Sequence, residues 1–404
     1  MPVTGNPTST LPFLALCFRR LEFCPDANNS RKEDRMTAKK AETPAGNPIL
    51  DLGAGDRTFD QPIRVGIVGL GRIGWCHHAQ IIQKHGGFEL VAVCDTQKKV
   101  RDEVSAEVDC KAYANLGSLL KDEKVEMVVV ATPTKFHQRM AIQALKAGKN
   151  VLCEKPSAMS ARGIDAMIRA SEAAGKVLTM HHNRRLDPDF LYVKEKIESG
   201  VLGKVFRIRR SVVGFARRND WQTLLKYGGG MIGNWGVHLV DQVLQLMEGP
   251  VTDVWSDVNH YLNPGDAEDD LVALLRDDNG LVADVEMTSI NAAPTPNWVV
   301  LGTAGTLWIQ GKTAKMKVYD PADLGEVTAN DFPYAMDRKY GVTPDADKIA
   351  WQEIEEDAKP SGDYGTYYDN LYDGIRSGAP LLVEPVSARR TYAVLDRVRR
   401  GTGF

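Results

Sequence analysis

Two short stretches carry residues that could move a proton. "VLCEKP" ends in Glu154, Lys155 and Pro156, and "GGGMIGNWGVH" at 228–238 sets three glycines ahead of Asn234 and His238. Oxidising a secondary alcohol requires hydride to leave carbon while a base removes the hydroxyl proton. One proton acceptor and one group to hold the oxygen are therefore sufficient. Lys155 and His238 are candidates for these roles, although Lys155 could instead pair with a phosphate or with Glu154, and His238 could be an ordinary helix histidine. If 231–246 is helical, Asn234, His238 and Asp241 stand at i, i+4 and i+7 on one face. Asp241 reads as an exposed or capping carboxylate. The glycines suit a close approach of backbone to a ligand, or a loop that leads into a helix.

A hydride needs an acceptor, and the chain offers a place for one. "IRVGIVGLGRIG" is an apolar strand ending in Gly69, Gly71 and Gly74, with Arg72 and Ile73 inside the G-x-G-x-x-G turn, and "WCHHAQIIQKH" continues as a helix. "FELVAVCD" is a second strand ending in Asp95, 21 residues after Gly74. Strand, glycine turn, helix and a distant acid together point to a dinucleotide site. Gly69 permits the turn, Gly71 lets backbone approach a pyrophosphate, and Gly74 lets the helix pack on the sheet. Asp95 would accept from a ribose diol and repel a 2′-phosphate, which favours NAD, while nearby Lys98 and Lys99 keep NADP possible.

The elements that position these residues follow from the hydrophobic period. Strands at 125–131, 150–153 and 177–180 alternate with helices at 134–147 and 160–174, the pattern of a doubly wound parallel sheet. Ligands sit outside the carboxyl ends of such strands, so Thr132, Pro133 and His137 of "ATPTKFH" and Glu154 and Lys155 of "EKP" should face the cofactor. Asn183 and Arg184, just past the last strand, are candidates to grip substrate hydroxyls or to make structural hydrogen bonds. After about residue 200 the runs are strand-like with hairpin signals at Asn279-Gly280 and Ala304-Gly305, an open, mainly antiparallel sheet. Arg217 and Trp221 are possible sugar contacts there. The expected division is 1–60 as a loosely attached tail, with Met36 a second candidate start, 61–183 as the dinucleotide domain and 184–404 as the substrate and oligomerisation domain. Residues 320–362 read as a long, weakly patterned excursion. "ILDLGAGDR" at 49–57 looks like a methyltransferase glycine turn, but the next strand starts at Ile63, too soon for a parallel crossover of about a dozen residues.

Composition excludes several classes. The 404 residues are 43% hydrophobic and 25% charged with a net charge of −3, which gives no basic footprint for nucleic acid or an acidic membrane. There is no apolar run long enough for a membrane span. Six cysteines without a CxxC pair suggest reduced thiols and a cytoplasmic protein, with "LPFLALCF" near the start read as non-secretory. His77, His78, His181 and His182 match no metal-ligand spacing, so no metal is expected.

From about 62 to 400 the chain resembles the Gfo/Idh/MocA oxidoreductases. The resemblance rests on "GLGRIG", "ATPTKFH", "AGKNVLCEKP", "HNRR" and "GGGMIGNWGVHLVD", in that order. It implies a two-domain enzyme holding NAD or NADP and acting on a sugar, a cyclitol or a related polyol, assembled as a homodimer or homotetramer through the second sheet. It also implies that Lys155 and His238 are catalytic, and Asn234 stands where many members have aspartate. Neutral asparagine can orient an imidazole but adds no charge, so the base role should rest on Lys155 or on a His238 of low pKa. Other readings are a glycosidase-like enzyme using transient oxidation and elimination, and a non-catalytic nucleotide sensor.

Overall fold

The computed structural model describes residues 57–326, 349–358 and 364–404. Its first sheet is built from β1 (Ile63–Val68), β2 (Phe88–Cys94), β3 (Lys111–Tyr113), β4 (Met127–Val130), β5 (Asn150–Cys153) and β6 (Leu178–Met180), all parallel, in the order β3-β2-β1-β4-β5-β6. The central strands are buried on both faces, which is why "IRVGIV" and "MVVV" read as unbroken apolar runs. Helices cover both faces: α1 (Gln80–Lys84), which continues a π-helical turn at Gly74–Ala79, α2 (Lys98–Val108), α3 (Leu116–Leu120), α4 (His137–Lys146) and α5 (Ala161–Ala174).

Strand order reverses between β1 and β4, and the register there sets the site. Val68 pairs with Cys94 and Val130, and Val130 pairs with Cys153. The next residues, Gly69, Asp95, Ala131 and Glu154, therefore emerge side by side on one edge. Four motifs separated in sequence become one crevice through strand register alone.

After α6 (Pro188–Glu198) comes the second sheet, in the order β14-β13-β12-β11-β7-β10-β9-β8. Its strands are β7 (Val205–Val213), β8 (Val251–Asn259), β9 (Asp270–Asp277), β10 (Val282–Thr288), β11 (Trp298–Gly302), β12 (Gly305–Gln310), β13 (Thr313–Val318) and β14 (Gln352–Asp357). It is mixed: β7 and β10 run parallel in the middle, and every other pair is antiparallel. α7 (Val237–Leu246), entered through a second π-helical turn at Ile232–Gly236, packs against β7 and β10. The strand β14 lies inside the stretch expected to be an excursion. "QEIEED" has no apolar alternation because it is an edge strand, held to β13 by backbone pairing and by Lys315–Glu355 (3.0 Å) and Lys317–Glu353 (2.9 Å). Residues 327–348 and 359–362 of that excursion lie outside the described residues.

The chain then returns to the first sheet. α9 (Pro385–Arg399) packs on α5 and β6, Arg389 bonds Asp165 at 2.8 Å, and Tyr367 of α8 (Tyr364–Ser377) donates to the Met180 carbonyl at 2.9 Å. At the other end, Arg57 pairs with Asp369 and Asp373, and Phe59 packs edge-on against Tyr372. The last residues of the expected tail are thus fastened to α8, whereas 1–56, with all of "ILDLGAGDR" but Arg57, lie outside the described residues. Among the described residues no helix is long and apolar enough to cross a membrane.

Candidate active site

The crevice at the switch point is a cleft of about 830 Å³ bordered by Gly69–Ile73, Asp95, Thr132, Pro133, His137, Glu154, Lys155 and Trp221. Its glycine turn fits a dinucleotide. Gly69 has φ +92°, and a Cβ there would sit 2.5 Å from the Ala131 carbonyl oxygen, while a Cβ on Gly74 would meet the Gly69 carbonyl oxygen at 1.9 Å. Those two close the turn against neighbouring backbone. Gly71 has nothing within 4 Å and leaves its backbone bare to the cleft, the feature a pyrophosphate requires.

Asp95 accepts from the Leu70 N–H at 2.9 Å through one carboxylate oxygen and from the Gln97 N–H at 2.9 Å through the other. It fixes the glycine turn and still has lone pairs facing the cleft. Lys98 pairs with Asp102 (2.5 Å) and Lys99 with Glu103 (3.8 Å) along the exposed face of α2, outside the cleft lining. His137 is buried between two carbonyls, those of Thr132 and Pro156 (2.7 Å to the latter), so it braces the two loops that form one wall.

Lys155 stands at the end of β5. Its ammonium donates to the Asn234 carbonyl at 3.0 Å and reaches the Asn234 side-chain oxygen at 3.4 Å. Burial pulls its pKa down to about 8, Glu154 opposes this, and Arg184, Arg218 and Arg72 add to it. Asn234 was expected to orient His238, but its oxygens face Lys155. The physical reason lies in the π-helical turn 232–236, whose wider winding removes the i, i+4 alignment that an α-helix would give. His238 is buried, and burial holds its pKa well below the usual histidine range, with Lys155, Arg184 and His182 pushing the same way.

Arg184 stacks on Trp235 at 4.3 Å and bonds Asp187 at 2.8 Å, beside the reaction centre. Asn183 begins the half-buried turn Asn183–Leu186. Arg217 is exposed and lines no described cavity, whereas its neighbour Arg218 is half-buried and lines one. Arg218 borders a small pocket with Asn234 and Glu268, two partners that sequence spacing does not reveal. Trp221 lines the dinucleotide cleft itself.

Asp241, expected as a surface carboxylate, is 1% exposed. Arg185 grips it with two bonds of 2.7 and 2.8 Å, Thr391 donates at 2.9 Å, and His182 lies 3.0 Å away. Burial would raise its pKa, but His182 and Arg185 outweigh burial and hold it below the usual range. α7 is buried on every side from Val237 to Leu244, so a charge on it has to find a partner indoors. Glu154, another buried carboxylate, uses both oxygens: one accepts from His78 (2.8 Å) and His181 (2.6 Å), the other from the Lys155 N–H (2.9 Å).

The three glycines also have a plain cause. A Cβ on Gly229 would meet the Gln222 carbonyl oxygen at 2.5 Å, and Gly230, with φ +107°, would place one 2.2 Å from the Glu268 carboxylate. They are imposed by packing inside the protein, where the loop threads between β8–β9 and the 3₁₀ turn at Trp221–Thr223.

Comparison with known proteins agrees with this geometry. The family described as an oxidoreductase family with an NAD-binding Rossmann fold matches residues 63–182, and the GFO/IDH/MocA C-terminal domain matches 190–308, together more than half of the chain. The chain belongs to the Gfo/Idh/MocA family. Members of this family are NAD(P)-dependent oxidoreductases, and this one shares their NAD-binding fold. An uncharacterised oxidoreductase of Schizosaccharomyces pombe is 28% identical over 340 residues, 78% of this chain and 90% of the relative. Myo-inositol 2-dehydrogenase of Thermotoga maritima is 28% identical over 235 residues, 55% of this chain and 68% of that enzyme. Among solved structures, the WlbA dehydrogenase of Bordetella pertussis in complex with NADH and UDP-GlcNAcA superposes with a TM-score of 0.67 at 25% identity, over 85% of this chain and 97% of that one.

Proposed function

We propose that the protein interconverts a secondary alcohol and a ketone on a sugar, cyclitol or related polyol, with NAD as the preferred cofactor. The observation that carries this is Lys155: an ammonium whose pKa burial lowers to about 8, aimed by Asn234 at the mouth of a dinucleotide cleft. A relative that is a myo-inositol dehydrogenase and a structural neighbour holding NADH with a sugar nucleotide support the substrate class.

A bound nicotinamide dinucleotide would supply the hydride acceptor, held by Gly69–Ile73, Asp95, Thr132 and Pro133. Asp95 without a nearby free lysine favours an unphosphorylated ribose. Neutral Lys155 takes the hydroxyl proton during oxidation and returns it during reduction. Burial keeps His238 neutral, so it would hold the substrate oxygen by a hydrogen bond and leave the proton to Lys155. Arg184 and Asn183 would hold the remaining hydroxyls. The exposed Trp255, Leu274 and Phe206 on the second sheet fit a contact between copies of the chain.

The test is a panel of inositols, aldoses, keto-sugars and glycosides scored for nicotinamide reduction with NAD and NADP separately. Polyol-dependent NADH formation that Lys155→Met abolishes is the expected result. Glycoside cleavage without net NADH would point instead to transient oxidation.

A further inference from the structure

His77, His78 and His181 are not used by the chemistry above, yet the fold brings them together. His77 and His78 lie on the π-helical turn after the glycines, and His181 follows β6. Their ring centroids are 4.7–5.2 Å apart, and one ring nitrogen from each lies within 4.8 Å of the others. His77 and His78 are consecutive, and their rings still lie 5.2 Å apart in an edge-on arrangement.

The hydrogen bonds already set the rings for a ligand. His181 is 2% exposed and donates from Nδ1 to Glu154, which leaves the Nε2 lone pair buried and without a partner among the described residues. A carboxylate bonded to one ring nitrogen while the other is left bare is the arrangement of metal-ligating histidines. His78 has Tyr368 Oη 2.6 Å from Nδ1 and Glu154 at Nε2. Both nitrogens of His78 are therefore engaged, and a cation would take the place of the Nε2 proton: that proton shifts to Nδ1, where Tyr368 Oη accepts it, and Nε2 exchanges Glu154 for the metal while Glu154 keeps its bond to His181. His77 is partly exposed and gives the cluster an entrance.

We propose that His77, His78 and His181 bind one divalent transition-metal cation of the zinc class, with Glu154 and Tyr368 bonded to the ligand rings. Imidazole suits such ions, and three protein ligands leave one position for water. Tetrahedral zinc places its nitrogens roughly 3.3 Å apart, so the rings need to close by no more than about 1.5 Å. The cation would offset the charge of Glu154 and tie the first helix to the end of β6. None of the three ligands touches Lys155, so the site is separate from the proton acceptor.

The experiment uses the full, untagged chain, stripped with chelator and then titrated with Zn²⁺ in equilibrium dialysis and with Co²⁺ in visible absorption. The expected result is one cation per chain, tetrahedral Co²⁺ bands without thiolate charge transfer, and a thermal unfolding midpoint raised by Zn²⁺. His77→Gln and His181→Gln should each weaken binding roughly 100-fold or more, while Cys76→Ser leaves it unchanged. The proposal is overturned by wild-type protein that binds less than about a tenth of an equivalent, by a thiolate signature, or by a double variant that binds like wild type. Should the variants fail to fold, the wild-type Co²⁺ spectrum alone decides.

Discussion

Two buried carboxylates, Asp241 three residues after His238 and Glu154 next to Lys155, are balanced differently. Asp241 has the fixed cation Arg185 in a two-bond grip, with Thr391 and His182 completing its shell. Glu154 has two imidazoles and a backbone N–H, but no guanidinium or ammonium bonded to it. The first is a closed ion pair that braces α7 against α9 and the turn at Asn183–Leu186. The second keeps a negative charge whose compensation depends on protons or on a cation among the histidines. His181 and His182 are consecutive, yet one serves each carboxylate, so the strand end after β6 is the hinge between a structural brace and an adjustable site.

Replacing the proton acceptor has the largest expected effect. Lys155→Met should lower kcat for polyol oxidation by roughly 10²–10⁴-fold while cofactor affinity, followed by fluorescence titration, stays within a few-fold. An equal loss in both would mean that Lys155 holds the cofactor and moves no proton. Asp241→Asn comes next: it leaves Arg185 buried against a neutral partner and should cost about 3 kcal/mol in urea unfolding. The sign with pH follows from its depressed pKa. The stabilisation is present above the unfolded carboxylate value and is lost as pH falls below about 4, so wild type should lose more stability on acidification than the variant.

Glu154→Gln should do less to stability and more to the pH profile. The Glu154 charge favours the Lys155 ammonium, so its removal moves the rising limb of kcat/KM for oxidation from about pH 8 to lower pH. Asp241→Asn should leave that limb in place. Equal shifts in the two variants would erase the distinction between brace and adjustable site. The smallest effect is expected at Asp95, a carboxylate held only by backbone N–H groups. Asp95→Asn should raise NADP use relative to NAD by roughly tenfold, measured as a ratio of kcat/KM values.

Much of this arrangement is legible in the chain itself. The glycine turn, Asp95, "ATP" and "EKP" announce a parallel sheet and its crevice, because each sits at the end of an apolar strand whose period is plain. Other features are hidden for identifiable reasons. β14 has no hydrophobic alternation, being an edge strand held by lysine–glutamate pairs. Asp241 looks like a surface acid because its partner Arg185 is 56 residues away. Arg217 and Arg218 are adjacent in a stretch without regular structure, so no period tells which of them lines a pocket. α-Helical spacing puts Asn234 and His238 on one face, whereas in the π turn the oxygens of Asn234 meet Lys155.

By itself, then, the sequence determined the dinucleotide half of the protein: local periods, turn glycines and the acid that ends β2 are short-range signals, and strand register carries them to one edge. Only the tertiary structure decided the electrostatics. Which carboxylate gains a guanidinium, which histidines converge and how far burial lowers the Lys155 pKa depend on segments brought together across long separations, and desolvation acts on neighbours in space, not in sequence.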